Sequence, residues 1–339
     1  MSLPEAIPFL DNAPASESFA LLTSLGIDPS TLLGTAVNPD HIPTAPIPKA
    51  QGILLRAVHD HVFRELLITS TDTSNIRLRS CSGAGNGDWL RDTVDHPPAQ
   101  LNDAEFMTAL RWRLGLPIAP SSSHCQHHAA KDHKKLCLQP LDVWCEHAVT
   151  CNTGGAPTNV LHHPLAILLA TLVSDSGLQA RREVPIAEFT RIVATTAGPE
   201  TRDGIVDVLG WSSLWGEFLL DVTVRHPGAA RYYPDSCHTT GHANSTAERD
   251  KAITYAASAG RVVTPCSIET YGRFGNLFED FLQKLASCAR QRDRSRGISS
   301  VRYLSKWRLQ VGTALMKGIA KTIHDALTPS RLSHPAACN

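Results

Sequence analysis

The chain has 339 residues, of which 42% are hydrophobic and 19% are charged, and its 32 basic side chains balance 32 acidic ones. This length allows one large domain or two modest ones, and the composition argues against a disordered chain, a collagen-like fibre or a heptad rod. No segment reaches the roughly 18 apolar residues that a membrane span needs. The nine cysteines are too sparse for a disulfide-stapled secreted scaffold and suit a reducing compartment. We therefore expect an intracellular protein with no membrane partner.

The first part of the chain predicts a leader followed by helices. Residues 1–48 contain eight prolines, which predict an irregular leader. Residues 49–118 predict a helical linker region, because apolar residues recur at helical spacing over 49–69. A second helix is predicted to begin after Asn102, which forms a capping box with Glu105, and to end at Gly115.

Residues 119–154 predict a small zinc-binding segment. The spacing His133-x3-Cys137-x9-His147-x3-Cys151 offers two short-spaced pairs of ligands, which suit the tetrahedral coordination of Zn²⁺. Further residues nearby could replace a member of this set, namely His124, Cys125, His128 and Cys145. The alternative interpretation is a polar loop with a few buried thiols.

Residues 155–290 predict a compact α/β domain. Its predicted helices cover residues 164–177, 245–257 and 276–290. Its predicted strands cover residues 178–184, 204–210, 218–224 and 261–266.

Two of these predicted strands each contain one carboxylate in an apolar run, Asp207 in IVDVL and Asp221 in LLDVTV. A buried carboxylate is costly unless it is paired or binds a cation, so the pair indicates a Mg²⁺ site. The alternative is that one or both lie solvated at strand ends. On the following helix, Lys251 and Tyr255 share one face and could point at the same site. The alternative there is an ordinary solvated helix face.

The C-terminal residues carry a segregated charge. Residues 284–331 contain eleven Lys or Arg and two Asp, a net charge of +9, which leaves −9 on the rest of the neutral chain. We interpret residues 291–339 as a basic helical tail in which basic and aromatic side chains alternate, as in nucleic-acid contacts. The alternative is a basic helix that packs on the acidic remainder of the chain.

The order of several motifs resembles the C-terminal end of non-LTR retrotransposon polyproteins of the algal and protist type. The motifs that follow the His/Cys segment are the helix-opening His162-His163, REVP, RDGIVDVLGW, LLDVTVRHP, ERDKAITY and ETYGRFG. Two further motifs precede that segment, SGAGNGDWL and LNDAEFMTALRWRLGLP. The resemblance covers residues 50–290. It implies a zinc knuckle followed by a restriction-endonuclease-like PD-(D/E)XK core, with a helical linker before them and helices after them.

The resemblance implies catalytic roles for Asp207, Asp221, Lys251 and Tyr255, and we add Glu183 as a third acid on the first strand. It implies Mg²⁺ at the two aspartates and Zn²⁺ in the knuckle, where Cys137, His147 and Cys151 match ligands. Three positions depart from the family pattern. His133 occupies the position of the family's first cysteine, and Val206 occupies the position of a proline. The residues Leu161-His162-His163 occupy the positions of an Arg-His-Asn motif.

The implied function is Mg²⁺-dependent cleavage of DNA by an element-derived protein that lacks the polymerase part. The implied partner is DNA, with RNA as an alternative, and no small-molecule cofactor is expected. The location is nuclear if the protein is functional. The alternatives are a catalytically dead nucleic-acid-binding remnant or a non-functional element fragment, and the sequence leaves the oligomeric state open.

Overall fold

A computed structural model describes residues 23, 50–91, 100–129, 132–153, 157–195, 198–255, 261–298 and 302–328. The chain divides into two compact units, Met1–Thr71 and Asp72–Asn339. In the first unit, helix α1 covers Ala50–Thr69, as the apolar spacing predicts. Apart from Thr23, the predicted leader lies outside the described residues.

The second unit begins with three helical elements. Helix α2 covers Asp72–Ser80, a 3₁₀ turn covers Asp88–Arg91, and helix α3 covers Asp103–Leu114. The predicted capping box is confirmed, because the Asn102 side chain accepts from the Glu105 amide and the Glu105 carboxylate accepts from the Asn102 amide. Gly115 ends α3 with a left-handed φ of 67°.

A small hairpin and a short helix follow α3. Strands β1 and β2 cover His128–Ala129 and Asp132–Leu136 and pair antiparallel. Helix α4 covers Glu146–Thr150. A π-helical turn at Pro157–His162 then leads into helix α5, which covers His163–Asp175.

The centre of the second unit is a four-stranded sheet in the order β3-β6-β7-β8. These strands cover Gln179–Pro185, Ile205–Ser212, Gly216–Arg225 and Val263–Glu269. The three strands β3, β6 and β7 pair antiparallel, and β7 pairs parallel with β8. All four predicted strands are confirmed, with bounds that differ by one to three residues, so the mixed α/β class is confirmed.

The remaining elements connect and cover this sheet. A hairpin of β4 (Arg191–Thr195) and β5 (Gly198–Arg202), which the sequence did not predict, separates β3 from β6. Between β7 and β8, a short helix α6 (Tyr233–Ser236) precedes helix α7 (His242–Thr254). A helical crossover here is what a parallel strand pair requires. None of the described helices has the length and apolarity needed to cross a membrane.

Two long helices complete the unit, α8 (Asn276–Ser295) and α9 (Tyr303–Leu327). Helix α9 falls within the predicted basic tail, yet one of its faces is core, where apolar side chains recur at helical spacing. These are Trp307, Val311, Leu315, Ile319 and Ile323, all at most 2% exposed. Several basic groups of this region pair within the protein, in the pairs Arg292–Asp293, Arg308–Glu279 and Lys321–Asp325.

His226 is buried where β7 leaves the sheet. Its ring packs against Trp112 and Tyr271, and its Nδ1 lies 2.9 Å from Thr270 Oγ1. Burial lowers the pKa of His226 from 6.5 to about 4. The folded protein therefore holds this imidazole neutral.

We expect Asn102→Ala to lower the free energy of unfolding by about 1 kcal/mol, because the first turn of α3 loses its side-chain acceptor. The measurement is urea denaturation at neutral pH. Asn102→Asp is the matched control, because a carboxylate oxygen also caps a helix. An equal loss in both variants would contradict the capping role.

We expect acid to destabilise the protein through His226. In the unfolded chain His226 binds a proton below about pH 6.5, whereas in the folded chain it does so only near pH 4. The free energy of unfolding therefore falls as the pH drops from 6.5 to 4. From pH 7 to pH 5 the loss from this group is about 2 kcal/mol. The measurement compares urea denaturation of the wild type and His226→Gln at both pH values, and identical pH dependence would contradict the assignment.

Candidate metal centres

The first candidate centre is a cluster of three thiols and one imidazole. The donor atoms of Cys125, Cys137, His147 and Cys151 all lie within 4.8 Å of one another. The Sγ atoms of Cys125 and Cys151 are 3.9 Å apart, and Cys137 Sγ is 3.3 Å from His147 Nε2. A tetrahedral Zn²⁺ with Zn–S of about 2.3 Å and Zn–N of about 2.1 Å separates such pairs by about 3.8 and 3.6 Å. The donor set and its spacing therefore fit zinc.

The two ends of the β1–β2 hairpin present the first two thiols. The Cys125 amide donates to the Gln139 carbonyl, and the Cys137 amide donates to the His127 carbonyl. These bonds extend the hairpin beyond its strands. They hold Cys125 and Cys137 side by side although eleven residues separate them in the chain.

Helix α4 presents the other two ligands. The Asp142 carboxylate accepts hydrogen bonds from the amides of Trp144, Glu146 and His147, so it fixes the first turn of this short helix. His147 and Cys151 are four residues apart, which places them on one side of the turn. Asp142 is thus a support of the centre, and the sequence analysis did not identify it.

The thiols differ in their ionisation. Burial raises the pKa of Cys125 to about 12 and also raises the pKa of Cys151. Burial acts the same way on Cys137, but hydrogen bonds from the Gln139 amide and from His147 bring the pKa of that thiol down to about 7. A divalent cation would offset the cost of holding the two buried thiolates.

Three of the four predicted zinc ligands, Cys137, His147 and Cys151, are brought together, and the fourth member of the cluster is Cys125. Residue 133 lies in β2, and the His133 side chain is outside the described residues. Cys145 is buried but is not a member of the cluster.

The second candidate centre lies on the four-stranded sheet. The pairing of Val208 with Leu220 places Asp207 and Asp221 opposite each other on β6 and β7, where cross-strand side chains are close. Donor atoms of these two carboxylates and of His162 lie within 4.8 Å of one another. Asp207 Oδ2 lies 3.0 Å from His162 Nε2 and accepts a hydrogen bond of 2.6 Å from the Val222 amide.

Lys251 reaches the same point from α7. Its Nζ lies 2.6 Å from Asp221 Oδ2 and 5.7 Å from the centre of the Tyr255 ring. The Tyr255 hydroxyl donates to the Ile205 carbonyl at 3.3 Å, so Tyr255 ties the end of α7 to β6. The two carboxylates and the amine therefore converge, and Tyr255 supports them from the side.

The two carboxylates are electrostatically unequal. Burial, together with repulsion from Asp207, raises the pKa of Asp221 to about 6 despite the nearby Lys251 charge. Burial also acts to raise the pKa of Asp207, but the hydrogen bond and charge of His162 bring it below its ordinary value. Burial acts to lower the pKa of His162, but the hydrogen bond and charge of Asp207 raise it above its ordinary value. With both carboxylates ionised and Lys251 charged, the centre has one net negative charge when His162 is neutral and none when His162 is protonated. The form with neutral His162 favours a cation.

Glu183 does not join this centre. It is exposed and lies opposite Asp207 in the β3–β6 ladder, but its φ of 51° departs from regular strand geometry. The described donors within 4.8 Å of one another do not include it. His162, in contrast, is a member to which the sequence analysis assigned no role, although its place in the helix-opening pair His162-His163 singled it out.

No protein-family model matches the chain, and no curated protein matches it. The functional assignment rests on the two centres and on the sheet that carries the second one.

We expect the purified protein to contain zinc, and Cys125→Ser to lower its zinc content sharply because a hydroxyl is a poor zinc ligand. Cys145→Ser is the matched control, because Cys145 is buried nearby but outside the cluster. The measurement is metal analysis after dialysis. His133→Ala is expected to retain zinc, and loss of zinc in that variant with retention in Cys125→Ser would contradict the ligand set.

Proposed function

We propose that the chain is a metal-dependent DNA endonuclease with a restriction-endonuclease-like core, derived from the C-terminal end of a non-LTR retrotransposon polyprotein. The observation that carries the proposal is the convergence of Asp207, Asp221 and Lys251 on one point of the sheet. Two carboxylates and a lysine are the groups that hydrolysis of a phosphodiester with a bound cation requires.

The order of elements around the sheet supports this proposal. The main elements follow one another as helix, three strands, helix and strand. They are helix α5, the antiparallel strands β3, β6 and β7, helix α7 and the parallel strand β8. This is the order that the sequence predicted for the domain in which the resemblance implies such a core. The β4–β5 hairpin is an insertion that leaves the pairing of β3 with β6 intact.

In the proposed mechanism Asp207 and Asp221 would hold Mg²⁺, and an ion held there would supply Lewis acidity. Lys251 lies where its ammonium can donate a hydrogen bond to the attacking water or to a phosphate oxygen that gains charge. The attacking water gives one proton to solvent and its oxygen bonds to phosphorus. The ester bond to the leaving oxygen breaks, and that oxygen takes up a proton from solvent. Tyr255 and the Val222 amide hold the strand and helix that orient these groups.

Two further features support DNA as the partner. The first is a group of exposed basic side chains where α8 ends and α9 begins, Arg294, Arg296 and Arg302. The second is the Cys/His cluster, which we propose holds zinc. Contacts between arginines and phosphates would give salt-sensitive binding, with log affinity falling against log salt by roughly 0.9 per contact on duplex DNA.

We expect the protein to nick supercoiled plasmid DNA in the presence of Mg²⁺, and Asp221→Asn to reduce the rate by about 100-fold or more because the cation loses a ligand. Asp250→Asn is the matched control. Asp250 is on the same helix as Lys251 but pairs with Arg231, away from the carboxylates.

Equal nicking by the wild type and Asp221→Asn would reject this assignment of the active site. Salt-sensitive DNA binding without any cleavage would instead assign the chain to the class of catalytically dead nucleic-acid-binding remnants.

A further inference from the structure

His162 is the side chain of the second centre that the proposed mechanism leaves without a role. Its Nε2 lies 3.0 Å from Asp207 Oδ2, and its donor atom is within 4.8 Å of the Asp221 donor atom. The side chain is 23% exposed, so most of the ring is enclosed by the protein. The centre therefore offers one nitrogen and two carboxylate oxygens.

The separation of these atoms suits a shared cation. Neighbouring ligands of an octahedral ion, each about 2.1 Å from it, are about 3.0 Å apart. A hydrogen bond has the same length but needs a proton on Nε2. Nδ1 of the same ring is buried and has no hydrogen-bond partner within the described part of the chain. A cation that binds Nε2 would displace the proton shared with Asp207, as for any histidine that becomes a metal ligand.

The backbone holds His162 firmly in this place. It is the last residue of the π-helical turn Pro157–His162, and such turns are rare and occur frequently at functional sites. Leu161 and Leu165 on either side are 1% and 3% exposed. The buried leucines anchor the turn, so the imidazole faces the carboxylates without a large rearrangement.

We propose that His162 is the third protein ligand of the cation at Asp207 and Asp221, and that the centre therefore prefers a divalent transition ion such as Mn²⁺ to Mg²⁺. Imidazole nitrogen binds transition ions well, whereas Mg²⁺ prefers oxygen ligands and retains its waters. The inference deepens the proposed function and rests on it, because it concerns the same cation.

The test measures metal binding, separately from cleavage, to the 339-residue chain that carries one equivalent of zinc. Free Mn²⁺ is followed by its EPR signal, and Mg²⁺ is added as a competitor. We expect the wild type to bind Mn²⁺ at least about tenfold more tightly than Mg²⁺, and His162→Asn to weaken Mn²⁺ binding by about 10- to 100-fold while Mg²⁺ binding changes little. His163→Asn is the matched control, because His163 is the exposed neighbour outside the cluster.

A second measurement on the wild type needs no variant and decides the question if His162→Asn does not fold. Pulsed EPR of bound Mn²⁺ is expected to show coupling to a directly bonded imidazole nitrogen, and absence of this coupling would overturn the inference. An unchanged ratio of Mn²⁺ to Mg²⁺ affinity in a folded His162→Asn variant would also overturn it.

The two proposals can fail independently. Mn²⁺ binding that depends on His162, without DNA cleavage, would support the third ligand and reject the nuclease. Cleavage with Mg²⁺ that His162→Asn leaves unchanged, together with equal affinity for the two ions, would support the nuclease and reject the third ligand.

Discussion

The antiparallel pairing of β6 with β7 holds Asp207 and Asp221 opposite each other. The other groups of the second centre offset the negative charge of these two carboxylates. Each offsetting group comes from a different element. His162 comes from the turn before α5, the Val222 amide from β7, and Lys251 from α7. The centre therefore exists only when the sheet and both helices have assembled.

The Cys/His cluster is local by comparison. Its ligands lie within residues 125–151, and one hairpin and one short helix present all four. Asp142 fixes the helix through three amide hydrogen bonds. The two centres thus differ in range along the chain, because the donors of one come from a single short stretch and those of the other come from elements spread over the unit.

The C-terminal segment illustrates how charge and packing combine in one helix. Its net charge of +9 is compatible with nucleic-acid contact, but α9 uses its apolar face as core. Arg308 and Lys321 pair with acids of the same unit. The segregation of charge along the sequence is therefore partly resolved within the fold. The arginines where α8 ends and α9 begins, Arg294, Arg296 and Arg302, are exposed.

Local patterns predicted most elements, because apolar spacing and capping act over a few residues. The capping box at Asn102 and the strand around Asp221 are examples. The β4–β5 hairpin escaped prediction because its strands are only five residues long and do not alternate apolar and polar residues. Ile192, for example, is exposed. Spacing alone also could not choose between His133 and Cys125 as a ligand, since that depends on which strands pair.

The sequence by itself determined that two carboxylates lie in apolar strands, that a lysine lies on the next helix, and that thiols and imidazoles cluster before them. Only the tertiary structure decided that Asp207 faces Asp221, that Lys251 reaches them, and that the donor atoms of His162 and Cys125 lie close to those of the other candidate ligands. The physical reason is the distance along the chain over which each feature depends on other residues. A residue's chemistry and its local element depend on near neighbours, whereas the meeting of donor atoms depends on strand register and helix packing between distant parts of the chain.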